Sequence, residues 1–371
     1  MAGIYVHIPF CKSRCIYCDF YSTTFNNLQD HYVDALLKEF DLRKGYLDGE
    51  RIETIYIGGG TPSQLSKRNI VRLLDYLPTP FDGNKKGEIT FECNPDDVNE
   101  DLADTLMAAG INRISMGAQT FSDARLKFLN RRHNSQQVIE AVKLLRQKGL
   151  SNISIDLIFG FPNETLEEWI ADINNAINLD VEHISAYSLM FEEGTPLYNM
   201  REKGIINEID DNLSRDMYYT LIDKLESAGY EHYEISNFAR QGYKSVHNSN
   251  YWNETPYIGL GAGAHSYNKV SRQWNVDNVN IYINKVENGI IPSTIETVGE
   301  CTRYNDLITT ALRTRSGVNL NNCGKYKDYL LKNAKIHLDN GLLIEDNENI
   351  RLSREGLYLS DLVMSDLIFI C

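Results

Sequence analysis

Three cysteines, Cys11, Cys15 and Cys18, fall within eight residues of the stretch HIPFCKSRCIYCDF. A disulfide uses two thiols, and a structural zinc site usually takes four ligands. Three thiolates at C-x3-C-x2-C suit a [4Fe-4S] cluster in which one iron is left open to a non-protein ligand. Two other readings stand beside this one. Zinc is one, completed by His7 or a distant cysteine. A redox dithiol, Cys15 with Cys18, is the other, but the helix start and flanking βαβ of a thioredoxin-type motif are absent. The other four cysteines, Cys93, Cys301, Cys323 and Cys371, are scattered and read as core or surface thiols.

A second group of residues stands where apolar runs end. Gly58-Gly59-Gly60-Thr61-Pro62 follows the run IETIYI, and glycines there let a ligand approach the backbone. Glu92, Gln119 and Asp156 each close an otherwise apolar run. A buried carboxylate or amide needs a partner, which can be a ligand, a helix cap or a salt bridge. Further on, residues 247–252 read HNSNYW. His247 offers an imidazole, and Tyr251 and Trp252 offer flat apolar faces. A histidine among aromatics is also a common core residue. In GLGAGAHSY (259–267) the glycines suit close backbone approach, and His265 reads as structural.

The elements that must position these residues alternate in type. Strands are predicted at 3–8, 52–57, 88–93, 113–119, 152–160 and 182–190. Helices are predicted between and after them, at 28–43, 66–77, 99–109, 135–148 and 164–178. Six such βα units predict an α/β fold with a parallel sheet, wound right-handedly into a barrel or part-barrel. Ligands then sit at the C-terminal ends of the strands. After Gly194 come a helix at 209–228, a strand at 231–239 and an aromatic, glycine-rich tract at 240–275. From about 297 the layout is helix, helix (324–339) and hairpin with a turn at Asp346-Asn347. That is a winged-helix-like pattern without basic character, which suggests packing or a lid.

The triplet, as C-x3-C-x-aromatic-C after the first strand of such an array, resembles the cluster motif of the radical S-adenosylmethionine (SAM) family. That family has a partial (β/α)6 barrel. The resemblance covers roughly residues 3–240 and implies a [4Fe-4S] cluster on Cys11, Cys15 and Cys18. In that family SAM chelates the open iron and is cleaved by one electron to methionine and a 5′-deoxyadenosyl radical. The wider set resembles the oxygen-independent coproporphyrinogen III oxidase group. By that likeness Tyr5, Tyr17, Gly59, Gly60, Thr61, Glu92, Gln119, Arg131 and Asp156 bind SAM, with Arg131, beside Arg132, pairing with the SAM carboxylate.

Three features separate the chain from the oxidase itself. Phe20 stands where the oxidase has a fourth cysteine. Tyr5 lies near the N-terminus, where the oxidase carries an arm. The H-N-x-x-Y-W pattern is similar to that of the haem chaperone branch of the group. The resemblance therefore implies haem bound through His247, Asn248, Tyr251 and Trp252, and delivery of it to a haem-accepting protein. Oxidative decarboxylation of coproporphyrinogen III propionates is the alternative. The pattern of elements divides the chain into a core barrel at 1–240, an accessory segment at 241–296 and a C-terminal domain at 297–371. The partners expected from the resemblance are haem as cargo, the acceptor and an electron donor of flavodoxin or ferredoxin type. Homodimer formation and peripheral membrane contact stay open.

Bulk properties narrow the field. The formal net charge is -14 over 371 residues, 42% of them hydrophobic. A nucleic-acid partner needs a basic footprint, so none is expected. The start MAGIYVHIPF has neither the basic nor the apolar region of a secretory leader. No apolar run is long enough to span a bilayer. A cytoplasmic protein with reduced thiols is expected.

Overall fold

A computed structural model describes residues 1–82 and 85–371. Its centre is one 12-stranded sheet. Strands β1 (Ala2–Ile8), β2 (Ile52–Gly59), β3 (Glu88–Cys93), β4 (Arg113–Gln119), β5 (Ile153–Phe159) and β6 (His183–Ser188) lie side by side in sequence order. All five pairings between them are parallel. The crossovers carry α1 (Gln29–Leu42), α2 (Lys67–Tyr76), α3 (Glu100–Ala108), α4 (Ser135–Gln147) and α5 (Leu166–Asn178). The helix starts are written locally. Ser66, Asn99, Asn134 and Thr165 each accept a backbone N–H three residues on. Asn134 and Thr165 do so in full capping boxes.

The sheet continues at both ends. After α6 (Asp211–Ser227), the predicted strand 231–239 divides into β7 (Glu231–Glu234) and β8 (Asn237–Ala239). They fold back as an antiparallel edge beside β6. A short helix, α7 (Val246–Trp252), follows, and then β9 (Tyr257–Leu260) inserts parallel to β1 on its free side. Strands β10 (His265–Tyr267), β11 (Ser271–Asn275) and β12 (Ser293–Thr297) extend that edge antiparallel, with α8 (Val279–Glu287) between the last two. The four strands between Tyr257 and Thr297 thus belong to the same sheet as the barrel strands.

A buried polar network fastens this extension. Glu39 on α1 is fully buried. It accepts from Arg43 (2.9 Å), from Asn275 Nδ2 (2.8 Å), from the Tyr282 hydroxyl (2.6 Å) and from Gly261 N (2.8 Å). Arg43 also donates to Gly259 O, Ser266 Oγ and Gln273 Oε1. One ion pair is thereby satisfied by partners from β9, β10, β11 and α8.

Residues 304–367 form a second core around Tyr304, Ile308, Leu330, Ile350 and Val363. It contains α9 (Glu300–Ala311), α10 (Lys327–Asp339) and the hairpin Leu343–Asp346 with Asn349–Leu352. Two of the scattered cysteines are not free: Cys301 is disulfide-bonded to Cys371. The chain end returns along α9, where Asn305 hydrogen-bonds Phe369 through both its donor and its acceptor. That contact joins thiols 70 residues apart, which spacing alone did not reveal. No helix among the described residues is long and apolar enough to cross a membrane.

Candidate cluster and cofactor site

The strand ends converge on a cavity of about 230 Å³. Cys11, Cys15 and Cys18 line it, together with all nine residues expected around SAM. These are Tyr5, Tyr17, Gly59, Gly60, Thr61, Glu92, Gln119, Arg131 and Asp156.

The loop after β1 carries the three thiols, all free of disulfides. Burial raises the Cys11 thiol above its ordinary range and lifts Cys18 to about 11. Holding them as thiolates therefore requires positive charge in the cavity. Arg131 brings one such charge, with Nη1 3.6 Å from Cys15 Sγ. Its Nη2 is held by Asn94 Oδ1 and Gly117 O, both at 2.8 Å. Its Nε is buried and has no hydrogen-bond partner among the described residues. Neighbouring Arg132 pairs instead with Asp96 and Asp97. Among the described residues no three His, Cys, Asp or Glu side chains converge on a point that could hold one metal ion. Cluster thiolates bind separate irons and need no common point. His7 does not complete a zinc site in this arrangement. Its Nδ1 faces the Tyr5 hydroxyl at 3.0 Å and its Nε2 faces Tyr21 O at 2.9 Å.

The glycines are required by space. A Cβ on Gly60 would meet Pro9 C at 2.8 Å and Cys11 Sγ at 3.0 Å. Gly59 has φ +111°, and a Cβ there would meet the His7 ring at 2.7 Å. Opposite them, Glu92 accepts from Tyr56 (2.7 Å) and Gly59 N (3.1 Å). Burial pushes Glu92 up to about 7 and Asp156 up to about 6. Gln119 reaches the cavity through backbone irregularity: the β4–β5 register shifts between Met116 and Gln119, whose φ is +68°. The residues present fit a cluster with a cationic, carboxylate-bearing ligand such as SAM. The donor set is three thiols, an arginine with an unpaired Nε and two buried carboxylates.

Two predictions arise here. Asp156→Ala is expected to weaken SAM binding about tenfold or more, the loss typical of a charged hydrogen-bonding group, with iron content unchanged. Equilibrium binding of SAM to reconstituted protein checks this. The second concerns pH. Folding raises Glu92 from 4.5 to about 7. Its contribution to stability is thus full below about 4.5 and lost as pH rises through about 7. Ligand-free protein should lose on the order of 2–3 kcal/mol between pH 5 and 8 from this group. Glu92→Gln should flatten that slope in denaturant titrations. Asp156 adds a smaller effect of the same sign.

Sequence reasoning missed several neighbours. Arg113 is buried at the start of β4, with Nε and Nη1 unpartnered among the described residues. Asn94 positions Arg131, and Tyr56 supports Glu92. The lone charge in the otherwise uncharged NRISMGAQ was the available signal for Arg113.

The HNSNYW segment forms α7, seated against the starts of β2 and β3. Glu88 accepts from Val246 N and His247 N, both at 2.9 Å. His247 is buried. Its Nδ1 faces Thr54 Oγ1 (2.8 Å) and its Nε2 faces the Tyr251 hydroxyl (2.9 Å). Burial lowers its pKa to about 3, so it is neutral. In this conformation both ring nitrogens are engaged. Trp252 lies under Arg313, 5.0 Å from its ring, and Asn248 is hydrogen-bonded to the Ser245 cap through its backbone. Tyr251 reaches a second, larger groove of about 890 Å³. Tyr5 and Phe20 line both cavities, so the groove opens beside the cluster loop.

Comparison with known proteins agrees with this geometry. Residues 5–176 match the model of the Radical SAM superfamily. The chain is 34% identical to the haem chaperone HemW of Lactococcus lactis, over 96% of this chain and 94% of that one. It is 32% identical to HemW of Mycobacterium tuberculosis H37Rv, over 99% and 94%. The fold is similar to that of coproporphyrinogen III oxidase (HemN) from Escherichia coli, with a TM-score of 0.84 at 22% identity, covering 99% of this chain and 90% of that one. With its three cysteines, glycine loop and carboxylates gathered at the strand ends of a partial α/β barrel, the chain belongs to the radical SAM superfamily and, within it, to the HemW group.

Proposed function

We propose that this chain is a haem chaperone built on a radical SAM scaffold, binding haem and passing it to a haem-requiring acceptor. The observation that carries the reading is the likeness, along nearly the whole chain, to relatives named haem chaperones. Exposed Phe20, where the oxidase itself has a further cysteine, supports it.

When bound, a [4Fe-4S] cluster with SAM supplies one-electron cleavage of the sulfonium. The chain's own residues hold and shield that chemistry. Cys11, Cys15 and Cys18 bind the cluster. Gly59, Gly60 and Thr61 admit the methionine end of SAM. Arg131 faces its carboxylate, and Glu92 and Asp156 offer acceptors for its donors. Tyr5, Tyr17 and Gln119 close the cavity against water. Residues 1–240 act as the core barrel, 241–296 as the haem-handling segment and 297–371 as a packing domain. The expected partners are haem, its acceptor and a small electron donor such as a flavodoxin or ferredoxin, in the cytoplasm.

A second reading is oxygen-independent coproporphyrinogen III decarboxylation. The whole-chain fold similarity to HemN favours it. One paired experiment separates the two. Reconstituted protein is titrated with ferric haem by Soret absorbance, and incubated with coproporphyrinogen III, SAM and reductant under mass-spectrometric detection. The chaperone reading expects stoichiometric haem binding and no loss of carboxyl groups. Decarboxylation without stoichiometric haem binding would establish the second reading.

A further inference from the structure

Resting on the haem reading above, we propose that haem docks in the large groove beside the cluster loop, with His265, not His247, as the iron ligand. Five of the eight histidines have a ring nitrogen bound within the fold by a hydroxyl or a backbone oxygen. A sixth, His337, faces Asp366. His31 and His265 are exposed, and no group among the described residues hydrogen-bonds to either ring. His265 lines the groove of about 890 Å³, a volume in the range of cofactor sites. Neutral imidazole is a common axial ligand to haem iron.

The walls suit a flat apolar ring with an acidic edge. Trp274 stacks beside His265, with centroids 6.2 Å apart and planes at 24°. Phe20 and Ile281 are exposed on the same groove. Lys285 also lines it and has no ion-pair partner among the described residues. It provides a cation for a propionate, whereas Asp19 and Asp277 would repel one elsewhere in the groove. Tyr251 is the residue of the HNSNYW segment that reaches this groove, and His247 holds its hydroxyl. His247 is then a positioning residue: it sets the groove wall through Tyr251 without touching iron.

The test is a ferric haem titration of reconstituted full-length protein, wild type against His265→Ala, Trp274→Ala and His247→Ala. Cluster absorbance and circular dichroism confirm folding. The expected result for His265→Ala is loss of the imidazole-ligated Soret form, about tenfold or weaker affinity, and restoration of that form by free imidazole. Trp274→Ala should weaken binding with the ligation spectrum kept. His247→Ala should lower the unfolding temperature yet keep the wild-type Soret position. If His265→Ala titrates like wild type while His247→Ala loses the ligated form, the inference is overturned and the chaperone reading stands. If wild type binds no stoichiometric haem, the chaperone reading itself fails, and this inference with it.

Discussion

Replacing Cys15 with alanine is expected to strip the chain of cluster iron, from about four per chain to near none, and to reduce SAM cleavage to background. The reason is geometric. Cys11, Cys15 and Cys18 share one cavity, and Cys15 sits 3.6 Å from the buried guanidinium of Arg131. Each thiolate would serve a separate iron, so no neighbour can substitute for the lost one. Alanine at Cys93 is the matched control. Cys93 is buried and borders the same cavity, but it stands on β3 beside Glu92 and packs in the apolar core, outside the loop that carries the three thiols. Cys93→Ala should keep its iron. If Cys93→Ala lost metal while Cys15→Ala kept it, the assignment of the three-cysteine loop would be wrong. Iron and sulfide analysis after anaerobic reconstitution reads both outcomes.

The largest expected effect on folding lies away from the cavity, at Glu39. Alanine there leaves Arg43 buried without its carboxylate and removes the acceptor shared by Asn275, Tyr282 and Gly261 N. Breaking a buried, hydrogen-bonded ion pair from one side costs about 3–5 kcal/mol. The double substitution Glu39→Gln with Arg43→Met removes both charges, so it should cost less than Glu39→Ala alone. Equilibrium denaturation of the two variants checks the order. Because the network holds β9 to β11 against α1, Glu39→Ala should also loosen the groove wall that carries His265 and Trp274. Proteolysis in the 260–275 region should then rise before global unfolding.

The six parallel strands were legible because each is a short apolar run buried on both faces and followed by a helix of clear periodicity. Polar residues closing those runs pointed to the cavity for the same reason: an apolar strand that ends in Glu92 or Asp156 must aim it somewhere. Other features depend on distant partners. Residues 257–297 join the sheet as short strands whose edge pairing with β1 no alternation announced. The choice between Arg131 and Arg132 was set by Asn94, Gly117 O and the pair Asp96 and Asp97. His247 looked like an open ligand in sequence. Its burial depends on Thr54, 193 residues away, and on Tyr251 one helical turn on. The pairing of Cys301 with Cys371 likewise arises from how the chain end packs on α9.

The central claim is that three cysteines hold a cluster with one position kept for SAM. Low-temperature electron paramagnetic resonance of the reduced, reconstituted protein, recorded with and without SAM, tests it most directly. The account predicts a [4Fe-4S]+ signal that changes shape and g-values when SAM is added to wild type, and a signal that needs more SAM for the same change in Asp156→Ala. A protein that takes up zinc instead of iron, or whose cluster signal is indifferent to saturating SAM, would contradict it.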